Sequence, residues 1–144
     1  MGYIFSAIAG AVMSIQGVMN TRLSDKIGLY ESNVFVQGTA FVASLVALLF
    51  LKNGNWANIK EVNKIYLLGG ILGLIITVTV MLGIKNLSPT MAISVILISQ
   101  LFVAALIDAF GIFDSEKISF GWNKYVALIL MIGGVILFKA DFGK

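Results

Sequence analysis

The sequence holds no cysteine and no histidine, one proline, and only 12% charged residues over its 144 positions. Without cysteine there are no disulfides and no thiolate metal sites. Without histidine there is no imidazole base or ligand, the side chain that most often moves protons near neutral pH. The charged fraction is about half that of an ordinary soluble domain. Ten basic and seven acidic residues leave a net charge of +3. They are scattered over connecting segments and make no dense basic stripe of the kind nucleic acid requires. Paired carboxylates, a Ser–His couple and a glycine-rich phosphate loop are also missing, so no catalytic residue, metal or cofactor is expected and the chain does not read as an enzyme.

What fills the sequence is apolar: 59% hydrophobic residues and a mean hydropathy of +0.99. A soluble domain of this size cannot enclose so much apolar surface in one core. Lipid resolves the excess, and the fold class expected is an all-α membrane protein. The N-terminal run Met1–Gly17 is not expected to be a signal peptide, because no Lys or Arg precedes it and no soluble mature domain follows.

A helix crossing the hydrocarbon needs about 20 mostly apolar residues. Uncharged runs cover Met1–Thr21, Ser32–Leu51, Ile65–Ile84 and Asn86–Ile107, with a shorter fifth at Tyr125–Phe138 flanked by Lys124 and Lys139. Those lysines can snorkel, and Trp122 and Tyr125 suit an interfacial belt. The expected spans are 2–20, 32–51, 65–84, 89–108 and 120–139, forming one transmembrane domain over 1–144. Loops are expected at Thr21–Glu31, at Lys52–Lys64 with its turn-forming Asn53, Gly54, Asn55 and Asn58, at Lys85–Ser88, and around Asp114–Lys117. Ser88 is placed to cap the fourth helix, with Pro89 in its first turn.

Five spans put the termini on opposite faces. One face then carries Lys52, Lys60, Lys64, Lys117 and Lys124; the other carries Arg22, Lys26, Lys85, Lys139 and Lys144. Orientation normally follows the richer side, and here the two sides tie. Two copies can therefore insert in opposite senses, the inverted-repeat plan of many transporters. An antiparallel homodimer, or a pair with a close homologue, is expected. The alternative is one orientation fixed by another signal. The tally also depends on the fifth span: if that segment lies on the surface, the count becomes seven against three.

No acidic or basic side chain falls near the middle of a span. Proton- and cation-coupled carriers usually keep a carboxylate there, so the candidates here are amides. Gln16 and Asn20 share a face of the first helix at i,i+4; Asn33 and Gln37 repeat the spacing on the second, at similar depth. Gln100 lies near the centre of the fourth helix, with Asp108 two turns further along the same face. Unpaired amides are costly in hydrocarbon and should face a helix or water. One reading is a cavity that binds substrate through Gln16, Asn20, Asn33, Gln37 and Gln100. The other is interhelical glue, about 0.6–2 kcal/mol per contact. Asp108 is a candidate coupling group with a raised pKa, or an ordinary carboxylate reaching headgroup water. Gly69, Gly73 and Thr77 form a ridge of small residues on the third helix, as do Gly10 and Ser14, then Gly17 and Thr21, on the first. Gly133 and Gly134 are expected to interrupt the fifth. Such ridges suit close helix packing, and the fifth helix is a candidate dimer contact. Serines within spans read as helix–helix donors.

Gln16-Gly17-Val18-Met19-Asn20 resembles the Q-G-x-x-N element of the YdcZ-like family, a branch of the drug/metabolite transporter superfamily. Asn86-Leu87-Ser88-Pro89, then Gln100, then Ile107-Asp108-Ala109-Phe110-Gly111-Ile112-Phe113 resembles its second hallmark. The resemblance runs the length of the chain. It implies half of a ten-helix transporter, paired with an inverted copy or close relative in a bacterial-type inner membrane. A related branch of small multidrug carriers uses a glutamate on its first helix; this chain has none there, so that coupling chemistry does not carry over. The function expected is a small secondary transporter or exporter of small molecules working by alternating access. A neutral or amphipathic substrate suits walls of this kind, and both an uncoupled facilitator and coupling through Asp108 stay open. The alternatives are a non-transporting membrane subunit that assembles with or regulates a partner, and a flippase for lipid-linked groups.

Overall fold

The helices follow the apolar runs, and their ends follow the capping residues. In the computed structural model, which describes residues 1–118 and 121–140, the elements are α1 (Gly2–Ile27), α2 (Leu29–Leu51), α3 (Gly69–Asn86), α4 (Pro89–Phe110) and α5 (Trp122–Lys139). Short 3-10 turns occupy Trp56–Lys60, Lys64–Leu68 and Ile112–Asp114. No strand occurs among the described residues. Among the described residues five helical segments are long and apolar enough to cross a membrane, the third running from Lys64 through α3 to Asn86. The expected start of the fifth span at Phe120, and Lys144 of the basic tally, lie outside the described residues.

The expected loop over Thr21–Glu31 is corrected. Helix α1 continues to Ile27, α2 starts at Leu29, and Gly28 alone joins them. Charge ends a hydrophobic run but does not end a helix; Arg22, Asp25 and Lys26 are good or tolerable helical residues. What breaks the helix is Gly28, at φ 101° and ψ 157°, a region that only glycine enters freely. Its N–H donates to the Ser24 carbonyl at 3.0 Å, and its own carbonyl accepts from Ser32 N–H at 3.1 Å. Gly28 thus satisfies one orphan carbonyl of α1 with its N–H and one orphan N–H of α2 with its carbonyl.

In the longer loop, asparagines cap the 3-10 turns: the Asn55 side chain accepts from Ala57 N–H at 3.0 Å and Asn63 from Ile65 N–H at 3.2 Å. The third span is α-helical only from Gly69 onward. Ser88 caps α4 as expected, its hydroxyl oxygen accepting from Met91 N–H at 3.3 Å with Pro89 in the first turn. Gly111 closes α4 in the left-handed conformation, its N–H donating to Ile107 O. The fifth helix runs unbroken through Gly133 and Gly134. The expected interruption there is wrong: a glycine pair lowers helix propensity by roughly 1 kcal/mol per residue, too little to break a helix whose polar backbone has no water to turn to.

The chain forms two compact units, Met1–Asn86 and a second from Leu87 onward. In the first, α1, α2 and α3 pack mutually; in the second, α4 packs on α5. The first unit's core is small and concentrated at one end. It comprises Gly17, Asn20, Thr21 and Ser24 of α1, Ser32 and Asn33 of α2, and Met81 and Ile84 of α3. Large apolar side chains point outward; Leu49 and Phe50 are 80% and 82% exposed. Such an inside-out arrangement is stable where lipid solvates the outside. Small residues let the backbones close up: a Cβ at Gly17 would lie 2.9 Å from Ile84 Cδ1 and 3.1 Å from Val80 Cγ1.

Candidate functional site

The polar side chains of the first unit separate into three groups. The first is the buried end-layer. Ser32 Oγ donates to the Asn20 carbonyl at 3.3 Å and also approaches Met81 Sδ at 3.7 Å, tying α2 to both neighbours. Thr21 Oγ1 donates to Gly17 O at 2.7 Å and Ser24 Oγ to Thr21 O at 2.8 Å, so these hydroxyls are satisfied within α1. Asn33 is 3% exposed, and its Oδ1 finds no partner. Just outside this layer, Lys85 Nζ pairs with Asp25 Oδ1 at 3.1 Å and joins the C-terminal turns of α3 and α1.

The second group lies further along α2. Gln37 Nε2 donates to Thr77 Oγ1 at 3.4 Å, and Thr77 in turn donates to Gly73 O at 2.8 Å. Gly73 sits against this contact, its notional Cβ 3.7 Å from Gln37 Nε2. Gly73 therefore gives the α2 amide access to α3. Gly69, the other glycine of that ridge, has nothing within 4 Å of a Cβ.

The third group lines an open groove of about 920 Å³ between α1 and α2. Gln16 and Asn20 stand on its α1 wall, with Arg22 and Lys26 toward the end of that helix; Phe35, Val36, Thr39, Ala40 and Ala43 form the α2 wall. Gln16 is exposed, Asn20 is buried at its rear, and Thr39 Oγ1 donates to Val36 O at 2.9 Å. Each 100° step along a helix rotates the side chain, so Asn33 and Gln37 sit roughly a quarter turn away from the α2 groove wall, toward α3.

The structure thus brings Gln16 and Asn20 together, and Asn20 and Asn33 into one buried layer. It does not bring the two i,i+4 pairs into a single cavity, because Gln37 is engaged by Thr77. Gln100 is exposed on α4 of the second unit, and Asp108 is half-buried there, its backbone carbonyl accepting from Ile118 N–H at 2.9 Å. Neither Gly133 nor Gly134 has an atom within 4 Å of a notional Cβ. Serine hydroxyls mostly serve their own helix: Ser14 donates to Gly10 O, Ser44 to Ala40 O and Ser94 to Thr90 O. Among the described residues the expectation that they bridge helices holds for Ser32 alone, because a hydroxyl in lipid satisfies itself most cheaply on the carbonyl four residues back. Arg22 and Lys26 were placed in a loop by sequence reasoning and so missed as groove residues; six residues on from Gln16 and Asn20 they sit about a third of a turn round α1, and only their own i,i+4 spacing gave a signal.

These features define a polytopic membrane protein with membrane-length helices and an open, mostly apolar groove carrying amides and two basic side chains. The family described as "Putative inner membrane exporter, YdcZ" matches residues 1–137. The chain belongs to this family, a branch of the drug/metabolite transporters, and is a multi-pass protein of the inner membrane. No curated protein matches the chain, and no solved structure matches it.

Proposed function

We propose that the chain exports small molecules as one five-helix half of an antiparallel dimer, all five helices acting as a single transmembrane domain. The observation that carries this reading is the α1–α2 groove. It is of ligand-pocket size, it opens on helices otherwise covered by apolar side chains, and it holds Gln16 and Asn20. An exposed amide on a membrane helix is costly unless it meets a polar partner. A transported molecule, or the water that accompanies it, is such a partner.

Pairing with an inverted copy is supported by the basic residues. They gather near helix ends: Lys26, Lys85 and Lys139 in last turns, Lys52 just after α2, Lys64 and Lys124 at the start of helical segments. With five spans they tie between faces, which leaves both orientations open. The open Gly133–Gly134 surface of α5 is a close-approach face for the partner helix. Alternating access follows from one half rocking against the other. Gln16 and Asn20 contact the substrate first. Gln37 holds α2 against α3 through Thr77, and it joins the cavity, with the buried Asn33 behind it, in the conformation that releases that contact. On α4 of the second unit, Gln100 is a candidate substrate contact and Asp108 the candidate coupling group.

Efflux from proteoliposomes loaded with a panel of amphipathic and neutral metabolites tests the reading. Flux of at least one compound is expected, lost in Gln16→Leu while dimer recovery stays at the parental level. A protein that assembles normally yet moves nothing from a broad panel is instead a subunit for another membrane protein. Loss of assembly together with flux in Gln16→Leu makes that amide glue.

A further inference from the structure

The groove has a direction, and its two ends differ chemically. Arg22 and Lys26 are one turn apart near the end of α1, both exposed, and neither makes a salt bridge among the described residues. The nearest acid on the same helix, Asp25, is engaged by Lys85 at 3.1 Å. Two cations therefore stand uncommitted at the mouth. From there the groove runs inward past Asn20 to Gln16, ten residues from Lys26, a span of about 15 Å at 1.5 Å per residue. That is half the roughly 30 Å hydrocarbon thickness. The opposite wall is apolar, with Phe35, Val36 and Ala40. Uncharged sequence precedes Arg22 all the way to Met1, so the cations mark the headgroup level and Gln16 lies well inside it.

We propose that this groove takes an amphipathic organic anion as its cargo, the charge held by Arg22 and Lys26 and the apolar body lying along the α2 wall. The inference rests on the exporter reading above and names its substrate class. Charge complementarity selects the anion. Gln16 and Asn20 select against a simple lipid tail: an acyl chain offers neither amide a hydrogen bond, whereas a cargo with polar atoms on the order of 10 Å or more from its charge, set by about 9 Å of rise and a third of a turn between Arg22 and Gln16, satisfies both ends. A neutral amphiphile leaves the two cations without counter-charge, and a compact inorganic anion leaves the apolar wall bare.

Dansyl-phenylalanine and its methyl ester provide the test, as they share body and sulfonamide and differ by one negative charge. Their binding is followed by fluorescence anisotropy on the intact protein in phosphatidylcholine nanodiscs, with empty discs subtracted. The acid should bind about tenfold tighter than the ester. The preference should shrink at about 0.5 M NaCl, where charges are screened within a few ångströms. Arg22→Gln combined with Lys26→Gln should bring the ratio close to one, while the charge-keeping pair Arg22→Lys with Lys26→Arg should retain it. Gln16→Leu should weaken acid and ester alike. Equal binding of acid and ester, a preference that survives the double glutamine variant, or no saturable binding of either overturns the proposal. So does displacement of the acid by short-chain phosphatidylglycerol at lower concentration than by unlabelled acid, which makes the groove a site for the membrane's own anionic lipid. Efflux of the same two probes separates this inference from the exporter reading. Charge-selective binding without flux upholds the site and sinks the exporter; flux without charge preference does the reverse.

Discussion

Replacing Gly28 with alanine tests the one-residue joint between α1 and α2. At φ 101° and ψ 157° the backbone occupies a region nearly closed to residues with a Cβ. Holding alanine there costs about 1–3 kcal/mol. The added carbon also meets the Glu31 carboxylate, but that side chain is exposed and can swing aside at little cost. Relief by rotating φ is not free either. It redirects α2 and withdraws Ser32 and Asn33 from the layer they share with Asn20 and Met81. A net loss of about 1–3 kcal/mol corresponds to a melting temperature roughly 2–12 °C lower for a chain of this size. The assay is the monodisperse fraction remaining after heating in mild detergent, read by size-exclusion chromatography. Gly10→Ala is the matched control: it lies within α1, with nothing within 4 Å of the new carbon, and should be neutral or slightly stabilising. A Gly28→Ala protein that melts within about 1 °C of the parent, or a Gly10→Ala protein that falls as far, refutes the reasoning.

Other substitutions discriminate the polar groups. Gly17→Leu drives a branched side chain into Val80 and Ile84 and should cost about 1–3 kcal/mol or more, seen as a lower melting midpoint in the same assay. Asn33→Leu removes a buried oxygen that has no partner; stability should hold or rise, in contrast to Ser32→Val, which should lose about 0.5–1.5 kcal/mol with its bond to Asn20 O. A double-mutant cycle of Gln37→Leu and Thr77→Val should return a coupling near 0.6 kcal/mol, since their contact is long at 3.4 Å. Lys85→Gln should shift the midpoint by less than about 1 kcal/mol equivalent, because that ion pair is half-exposed, at 54% and 35%.

The spans were legible because charge-free runs of about 20 residues have few uses outside lipid. Helix ends were legible where a residue acts through its own backbone or cap, as Ser88 and Pro89 do. They were misjudged where charge was taken for a helix stop: Arg22, Asp25 and Lys26 belong to α1, and the stop is a glycine two residues later. The reverse error occurred at Gly133–Gly134, where local propensity yields to the lack of any competing partner for the backbone. Among the amides, i,i+4 spacing placed Gln16 with Asn20 and Asn33 with Gln37 on shared faces. It carries no information on which neighbour each face meets. That depends on how α2 rotates about its axis, and the rotation is set by small contacts such as Gly73 against Gln37 and Ser32 against Asn20.

The chain has no cysteine, so a single introduced thiol reports without interference. Asn55→Cys, in the loop between α2 and α3, should be labelled by a membrane-impermeant maleimide in intact cells for about half of the molecules, and for the remainder only after the cytoplasmic face is opened, because an evenly balanced chain inserts both ways. Labelling of the whole population from one side contradicts the inverted pair at the centre of this account.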